Sequence, residues 1–476
     1  MWEAKALIGA SQLASPLLQR DALFFGRDAI LIVNAPPIAC ILAWGSVLAM
    51  QSTIQRTGVR CIALLSVFMP VAAMAQQFDV ERATRAYLDL LQGPARSQSD
   101  AYFEGGYWLI LWSTLVTCLA YWLVLATGFS AWLRTWATGR TRRPALATML
   151  YALGLTLVTT IITLPWTIYT GFVREAQYGL MSQSFALWSF DQLKALVIAL
   201  IVTPLAFASI YAAIRRTPRF WWAWGAGLTW GFVLLASAVL PVLIAPLFFT
   251  MSELPAGPLR ERVVKMARAH EIPAEHIYVA DLSRQTKRIS ANVSGLGPTV
   301  QITLADNLIS RTSSDEVAAV MGHEMGHYVL GHVWRNAAWY AVLFLIMFLA
   351  VARVTPAIIA RHPRWRIEGV YDVASAPALL LVATLVMALA TPFENAIVRS
   401  AETEADAFGL DVARQPDAFA LIAIRLSEYR KLEPGHFEEM LFFDHPSGET
   451  RIRRAMQWKK DHVPGATMIK PVLPSS

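Results

Sequence analysis

The residues that could do chemistry concentrate in 315–333, DEVAAVMGHEMGHYVLGHV. His323 and His327 are four residues apart, so on a helix both imidazoles project from one face and can reach a single ion. Glu324 stands beside them, where its carboxylate can take a proton from water held by that ion. Two neutral imidazoles, a third ligand and one open position are what catalytic zinc requires, and the ion makes its water a usable nucleophile near neutral pH. His-Glu-x-x-His therefore points to zinc-dependent hydrolysis of peptide bonds, with one Zn2+ per chain. The five residues alone also fit histidines that merely bond to their neighbours. Asp315 and Glu316 suit the positive end of a helix, and no proline interrupts the stretch, so the spacing predicts one helix over 315–333. Gly322 and Gly326 weaken a buried helix and imply close approach by another element.

That helix supplies two ligands, so a third must return from elsewhere. After Pro392 the chain runs FENAIVRSAETEADAFGLDVA. On one helix Glu402 and Asp406 share a face, and Asn395 and Arg399 extend the same stripe. A polar stripe beside an apolar span is costly unless it is paired, and an ion with two imidazoles would pair it. Glu402 is read as the third ligand, and Asp406 as the group holding the free nitrogen of a ligating histidine. Glu404 points elsewhere, toward solvent. Taken alone, the stretch reads equally well as a solvated acidic helix start.

The elements that must position these groups belong to a membrane protein. Of 476 residues, 55% are hydrophobic and 16% charged, and mean hydropathy is +0.44. Four apolar runs (107–127, 146–168, 193–213, 222–248) and two later ones (337–357, 372–391) are long enough to cross a bilayer as helices. The formal charge of +7 does not imply nucleic-acid binding, because many arginines crowd short loops. These are Arg134, Arg140, Arg142 and Arg143; Arg215, Arg216 and Arg219; and Arg361, Arg364 and Arg366. Positive-inside places those loops in the cytoplasm, and alternation puts 249–336 and the chain from 393 onward on the outer side. A bacterial-type inner membrane with the catalytic part facing the periplasm is the expected setting. Cys40, Cys61 and Cys118 all lie outside the catalytic half, which excludes a cysteine-ligated metal there.

The organisation expected from this pass is as follows. Residues 1–49 carry an apolar run broken by Asn34 and Pro36-Pro37; 50–75 have a signal-peptide layout, with Arg56 and Arg60, an apolar core and Ala73-Met74-Ala75. Because signal peptides do not sit internally, Met50 is the expected start and 1–49 an over-extended reading frame; two real N-terminal membrane helices are the alternative. Residues 76–106 form a polar linker with an amphipathic helix near 80–91, stopped by Gly93-Pro94. A four-span membrane domain (107–248) leads to a first protease segment (249–336), two further spans (337–392), a second protease segment (393–465) and a tail (466–476). In the first protease segment, 255–270 reads as a helix, 277–280 as a strand, and 288–294 with 300–304 as a strand pair about Gly295-Leu296-Gly297-Pro298.

HEMGHYVLGH (323–332) with NAIVRSAETEAD (395–406) resembles the M48 family of integral membrane zinc metalloproteases, in its CaaX prenyl protease (Ste24-like) branch. Glu402-x-x-Ala405-Asp406 fits the family pattern, and Arg399 matches the arginine of its Asn-x-x-x-Arg-x-x-Glu extension. The resemblance spans roughly 78–460. It implies a mostly α-helical polytopic protein: a multi-span helical barrel around a water-filled chamber, with a gluzincin-like domain of helices and a small β-sheet. It further implies that Asn292, on an edge strand, aligns the substrate backbone, and that His445 and Arg451 stabilise charge on the scissile carbonyl oxygen. From the residues alone, DHPSGETRIRRA would read only as a turn into a basic helix. His332, nine residues from His323, reads as structural. The partners implied are peptide or protein substrates and the lipid bilayer, with no nucleic acid and no obligate protein partner. Processing or quality control of membrane and exported proteins is the first functional expectation. Removal of C-terminal tripeptides from prenylated proteins is the alternative, and a non-catalytic chaperone or scaffold is a third.

Overall fold

The computed structural model describes residues 78–273, 276–295 and 300–473; the expected extension at 1–49 and the signal-like segment at 50–75 lie outside them. Helix α1 (Val80–Leu88) starts where Asp79 accepts hydrogen bonds from the backbone of Glu81 and Arg82. It buries Tyr87 and Leu88 against Phe419 and Ile452, which fastens this end of the chain to the C-terminal helices. Gly93-Pro94 does separate two elements, but it also begins the next one. Proline in a first turn loses no helical hydrogen bond, and α2 runs unbroken over Gly93–Ala126. Residues 93–106, expected in a linker, are therefore the first turns of the first span.

Helices α3 (Phe129–Arg140), α4 (Pro144–Ile168), α5 (Phe185–Arg216) and α6 (Trp221–Val239) follow. A π-helical turn, Tyr169–Val173, prolongs α4 to Gln177, into what the hydropathy pattern leaves as loop. Strand β1 (Met251–Glu253) and helix α7 (Pro258–Ala269) open the polar half, followed by β2 (Ile277–Ala280), β3 (Ala291–Ser294), β4 (Gln301–Ala305) and a short α8 (Asp306–Arg311). The sheet order is β1-β2-β4-β3. β2 and β4 are parallel and the outer pairs antiparallel, with Asn292 opposite Thr303. Ile277, Ile302 and Leu304 pack beneath Met321 and Met325 of α9 (Ser314–Val329). Helix α10 (His332–Arg361) and the 38-residue α11 (Ala376–Ala413) come next, then α12 (Pro416–Leu426), α13 (His436–Phe442) and α14 (Gly448–His462).

Among the described residues, six helices are long and apolar enough to cross a membrane. Inside the bundle, Tyr151, Tyr211 and Phe344 are fully buried in one cluster. Outside it, Leu389 is 79% exposed and Ile161 67%, side chains that a bilayer rather than water would solvate. At one end of the bundle Arg134, expected in a loop but carried on helix α3, reaches Asp372 at 2.5 Å and the carbonyl of Arg366 at 3.2 Å, so two arginine-bearing connections meet. The loop after α4 instead bonds to the polar half, Ser182 N to the Gln285 carbonyl and Lys287 N to that of Leu180. The arginine loops and the protease domain thus occupy opposite ends.

Candidate metal centre

Local chemistry fixes the start of α9. Ser313 Oγ accepts from Glu316 N, Glu316 accepts in return from Ser313 N, and Arg425 Nε donates to the other Glu316 oxygen at 2.6 Å. Glu316 is fully buried, so the capping residue doubles as an anchor to α12. The helix does not reach Val333. It ends at Val329, and Gly331 takes a left-handed conformation (φ 61°) that glycine adopts without penalty. The chain restarts at His332 as α10, which turns that imidazole back toward α9.

Glycines bring α9 against α11. A β-carbon on Gly322 would lie 2.9 Å from the Gly409 carbonyl oxygen, and one on Gly326 would lie 3.1 Å from Ala405 Cα. The crossing carries Glu402 and Asp406 to the two imidazoles. His323 Nε2 is 3.2 Å from His327 Nε2 and 3.2 Å from Glu402 Oε2, while His327 Nε2 is 3.5 Å from Glu402 Oε1. An ion bonded tetrahedrally at about 2.1 Å has donor–donor edges of about 3.4 Å. One donor atom from each of the three residues lies within 4.8 Å of the others, close enough to share a single metal ion. Glu402 Oε2 is buried and, despite its closeness to His323, makes no aligned hydrogen bond. Two imidazole nitrogens and a buried carboxylate oxygen converging on one point are a donor set that a cation would satisfy, so the residues fit a metal ion.

Each imidazole is held from behind. His323 Nδ1 is 2.9 Å from Asp406 Oδ1. Asp406, fully buried, also accepts from Arg451 Nη2 at 2.5 Å, Arg451 Nε at 3.1 Å and Arg454 Nη1 at 3.0 Å. Burial pulls His327 down to about 3. Burial would lower His323 as well, but Asp406 and Glu402 together hold it up to about 10. Glu324 follows His323 on α9 and is partly buried.

The other expected residues are placed as follows. His445 reaches the cluster, its Nε2 3.2 Å from Glu402 Oε1 and its Nδ1 2.8 Å from Asp444. The guanidinium of Arg451 lies behind His323, clamped on Asp406. Arg399 does not touch the imidazoles. It donates to the carbonyls of Glu439 and Phe443, and Asn395 to that of Leu441, so the upper half of the polar stripe holds the segment leading to His445. Asn292 lies on the sheet's edge strand and accepts from Ser294 Oγ at 3.2 Å.

Two partners were not legible as such. Glu404, expected in solvent, is half-exposed and pairs with Arg335 at 2.7 Å and with His332 Nε2 at 3.2 Å. His332, in turn, contacts His327 Nδ1 at 3.0 Å. Gly331 was the available signal, since a glycine directly before a histidine can end one helix and redirect the next.

Comparison with known proteins agrees with this architecture. Residues 253–459 match peptidase family M48, and residues 90–250 match the CAAX prenyl protease N-terminal region described as five membrane helices. An uncharacterized metalloprotease of Bacillus subtilis, YhfN, is 28% identical over 349 residues, 72% of this chain and 81% of that one. The human CAAX prenyl protease 1 homolog is 24% identical, covering 66% of this chain and 74% of its own. The rice CAAX prenyl protease 1 homolog is 28% identical over 60% of this chain and 66% of its own. In fold, the crystal structure of S. mikatae Ste24p superposes with a TM-score of 0.62 at 19% identity, over 79% of this chain and 94% of that one. With the helical bundle, the mixed sheet and the His-His-Glu cluster already in place, these matches show that the chain belongs to peptidase family M48, as a membrane metalloprotease related to the CAAX prenyl protease branch.

Proposed function

We propose that this chain is a zinc-dependent endopeptidase that cuts prenylated proteins near their C-termini. Hydrolysis rests on one observation above the others: His323, His327 and Glu402 bring one donor atom each within 4.8 Å of one another, with Glu324 next in sequence to His323. The substrate class rests on relatives from rice, human and other eukaryotes that carry the name CAAX prenyl protease. That shifts the weight from general quality control, the first expectation from sequence, to its alternative.

When bound, zinc would polarise the scissile carbonyl and acidify a nearby water. Glu324 takes the proton of the attacking water and returns it to the leaving amine. Asp406, braced by Arg451 and Arg454, keeps the Nδ1 proton of His323 on the far side of the ring and so leaves Nε2 free. Asp444 holds His445 Nδ1 and sets His445 Nε2 beside Glu402, next to where the reacting carbonyl would lie. Substrate backbone would add to the edge strand β3, with Asn292 as a side-chain guide.

A second reading, processing of misfolded or exported membrane proteins from the outer side, is supported by the arginine loops gathered at the end opposite the site. One experiment separates the two. Detergent-purified protein is given a farnesylated CaaX peptide and an unfolded soluble protein, each with and without a zinc chelator. Chelator-sensitive cutting of the farnesylated peptide supports the proposal; cutting of the unfolded protein alone replaces it with the second reading. A Glu324→Gln variant that still performs the cellular role would point instead to a chaperone.

A further inference from the structure

The two imidazoles of the candidate centre are braced in different ways, and the second brace involves residues outside the expected set. His323 leans directly on a buried carboxylate. His327 leans on another imidazole: His332 Nδ1 is 3.0 Å from His327 Nδ1, with the rings 5.0 Å apart and at 76°. His332 Nε2 then lies 3.2 Å from Glu404 Oε2, and Glu404 is held by Arg335 Nη1 at 2.7 and 2.8 Å.

With a metal taking the Nε2 lone pair of His327, one proton arrangement satisfies its contact with His332 and that of His332 with Glu404. His327 must keep the Nε2 lone pair free toward His323 and Glu402, so its proton sits on Nδ1. That proton can be donated only if His332 Nδ1 is an acceptor, which moves the His332 proton to Nε2. From there it points at the Glu404 carboxylate, an acceptor anchored by a guanidinium. His332 is 1% exposed, so water cannot substitute for either partner. The fold builds this placement on purpose-shaped backbone. Gly331, left-handed, ends α9 two residues after Val329, and the restart of α10 at His332 points the ring back along the helix it has just left. The same α9–α11 crossing that delivers Glu402 and Asp406 delivers Glu404 to its other side.

We propose that His332 and Glu404 are positioning residues for the metal: a relayed acceptor that fixes the tautomer and orientation of His327, as Asp406 does directly for His323. This rests on the reading of His323, His327 and Glu402 as a zinc site. Loss of such an outer partner weakens metal binding 10- to 100-fold in comparable centres.

Zinc affinity of the full-length protein, measured by competition with a chromophoric chelator, provides the test, with circular dichroism as the check on folding. His332→Phe keeps ring volume but offers no acceptor, and should weaken zinc at least tenfold. His332→Gln offers a carbonyl to His327 and an amide proton to Glu404, and should recover most of that loss. Glu404→Gln, at a half-exposed position tolerant of change, should weaken zinc several-fold alone and add nothing in the His332→Phe background. A Co2+-substituted wild type and Glu404→Gln should differ in their visible spectra, which a purely structural role would not alter. If zinc affinity in Glu404→Gln and in folded His332→Phe stays within twofold of wild type, the relay is overturned. Should His332→Phe fail to fold, the Glu404→Gln affinity decides alone. A wild-type protein that binds no zinc would refute the metal site itself, a different and distinguishable failure.

Discussion

Gly409 and His323 stand so close that a β-carbon on the glycine would fall 2.7 Å from the histidine's backbone nitrogen. Because the obstacle is backbone, it cannot swing away as a side chain would. Gly409→Ala should therefore push α11 off α9, costing about 1–3 kcal/mol by overpacking and separating Glu402 from both imidazoles. Thermal unfolding and zinc content after dialysis check this. Unchanged values for both would mean that the helices have slack the contact does not suggest.

Glu324 and Glu402 should fail in different ways. Glu324→Gln removes the proton acceptor while leaving all three donors, so zinc should remain near one per chain while hydrolysis falls about 10²- to 10⁴-fold. Glu402→Gln removes a donor and should lose the metal. Metal analysis of the two purified variants reads the difference, and equal zinc content in both would sink the division of roles.

His445 sits as near to Glu402 as His323 does, 3.2 Å in each case. If it serves the reacting carbonyl, His445→Ala should lower kcat about 100-fold and leave zinc content and KM nearly unchanged. A loss of zinc instead would make it a ligand.

Arg425 and Glu316 form a buried pair at 2.6 Å that ties the start of α9 to α12. Arg425→Met strands the Glu316 carboxylate in the interior, and breaking such a pair by removing one partner costs about 3–5 kcal/mol. Denaturant unfolding in detergent measures it. A change below about 1 kcal/mol would show that the capping box with Ser313 suffices to hold the carboxylate.

Much of this was readable from residue order, for identifiable reasons. Local periodicity placed His323 beside His327 and Glu402 beside Asp406, because helical spacing alone decides which side chains share a face. Gly322 and Gly326 signalled the close approach, and the crossing with α11 is that approach. Hydropathy located all six spans, but not their ends. Polar residues 93–106 and 394–413 continue helices whose apolar stretches fill only the other end, the C-terminal part of α2 and the N-terminal part of α11. Tertiary packing was harder. Nothing in the spacing of DHPSGETRIRRA says that Arg451 reaches Asp406, forty-five positions earlier. The contact of His332 with His327 was hidden for a local reason: one left-handed glycine ends α9 and turns the histidine back toward it.

The central claim is that a metal held between α9 and α11 drives peptide hydrolysis. The most direct measurement strips the full-length detergent-purified protein with a chelator and returns zinc stepwise while following cleavage of a farnesylated CaaX peptide. The account predicts that activity disappears with the metal and returns in full at one equivalent of zinc per chain. Cleavage that survives stripping, or that needs a second equivalent, would contradict it.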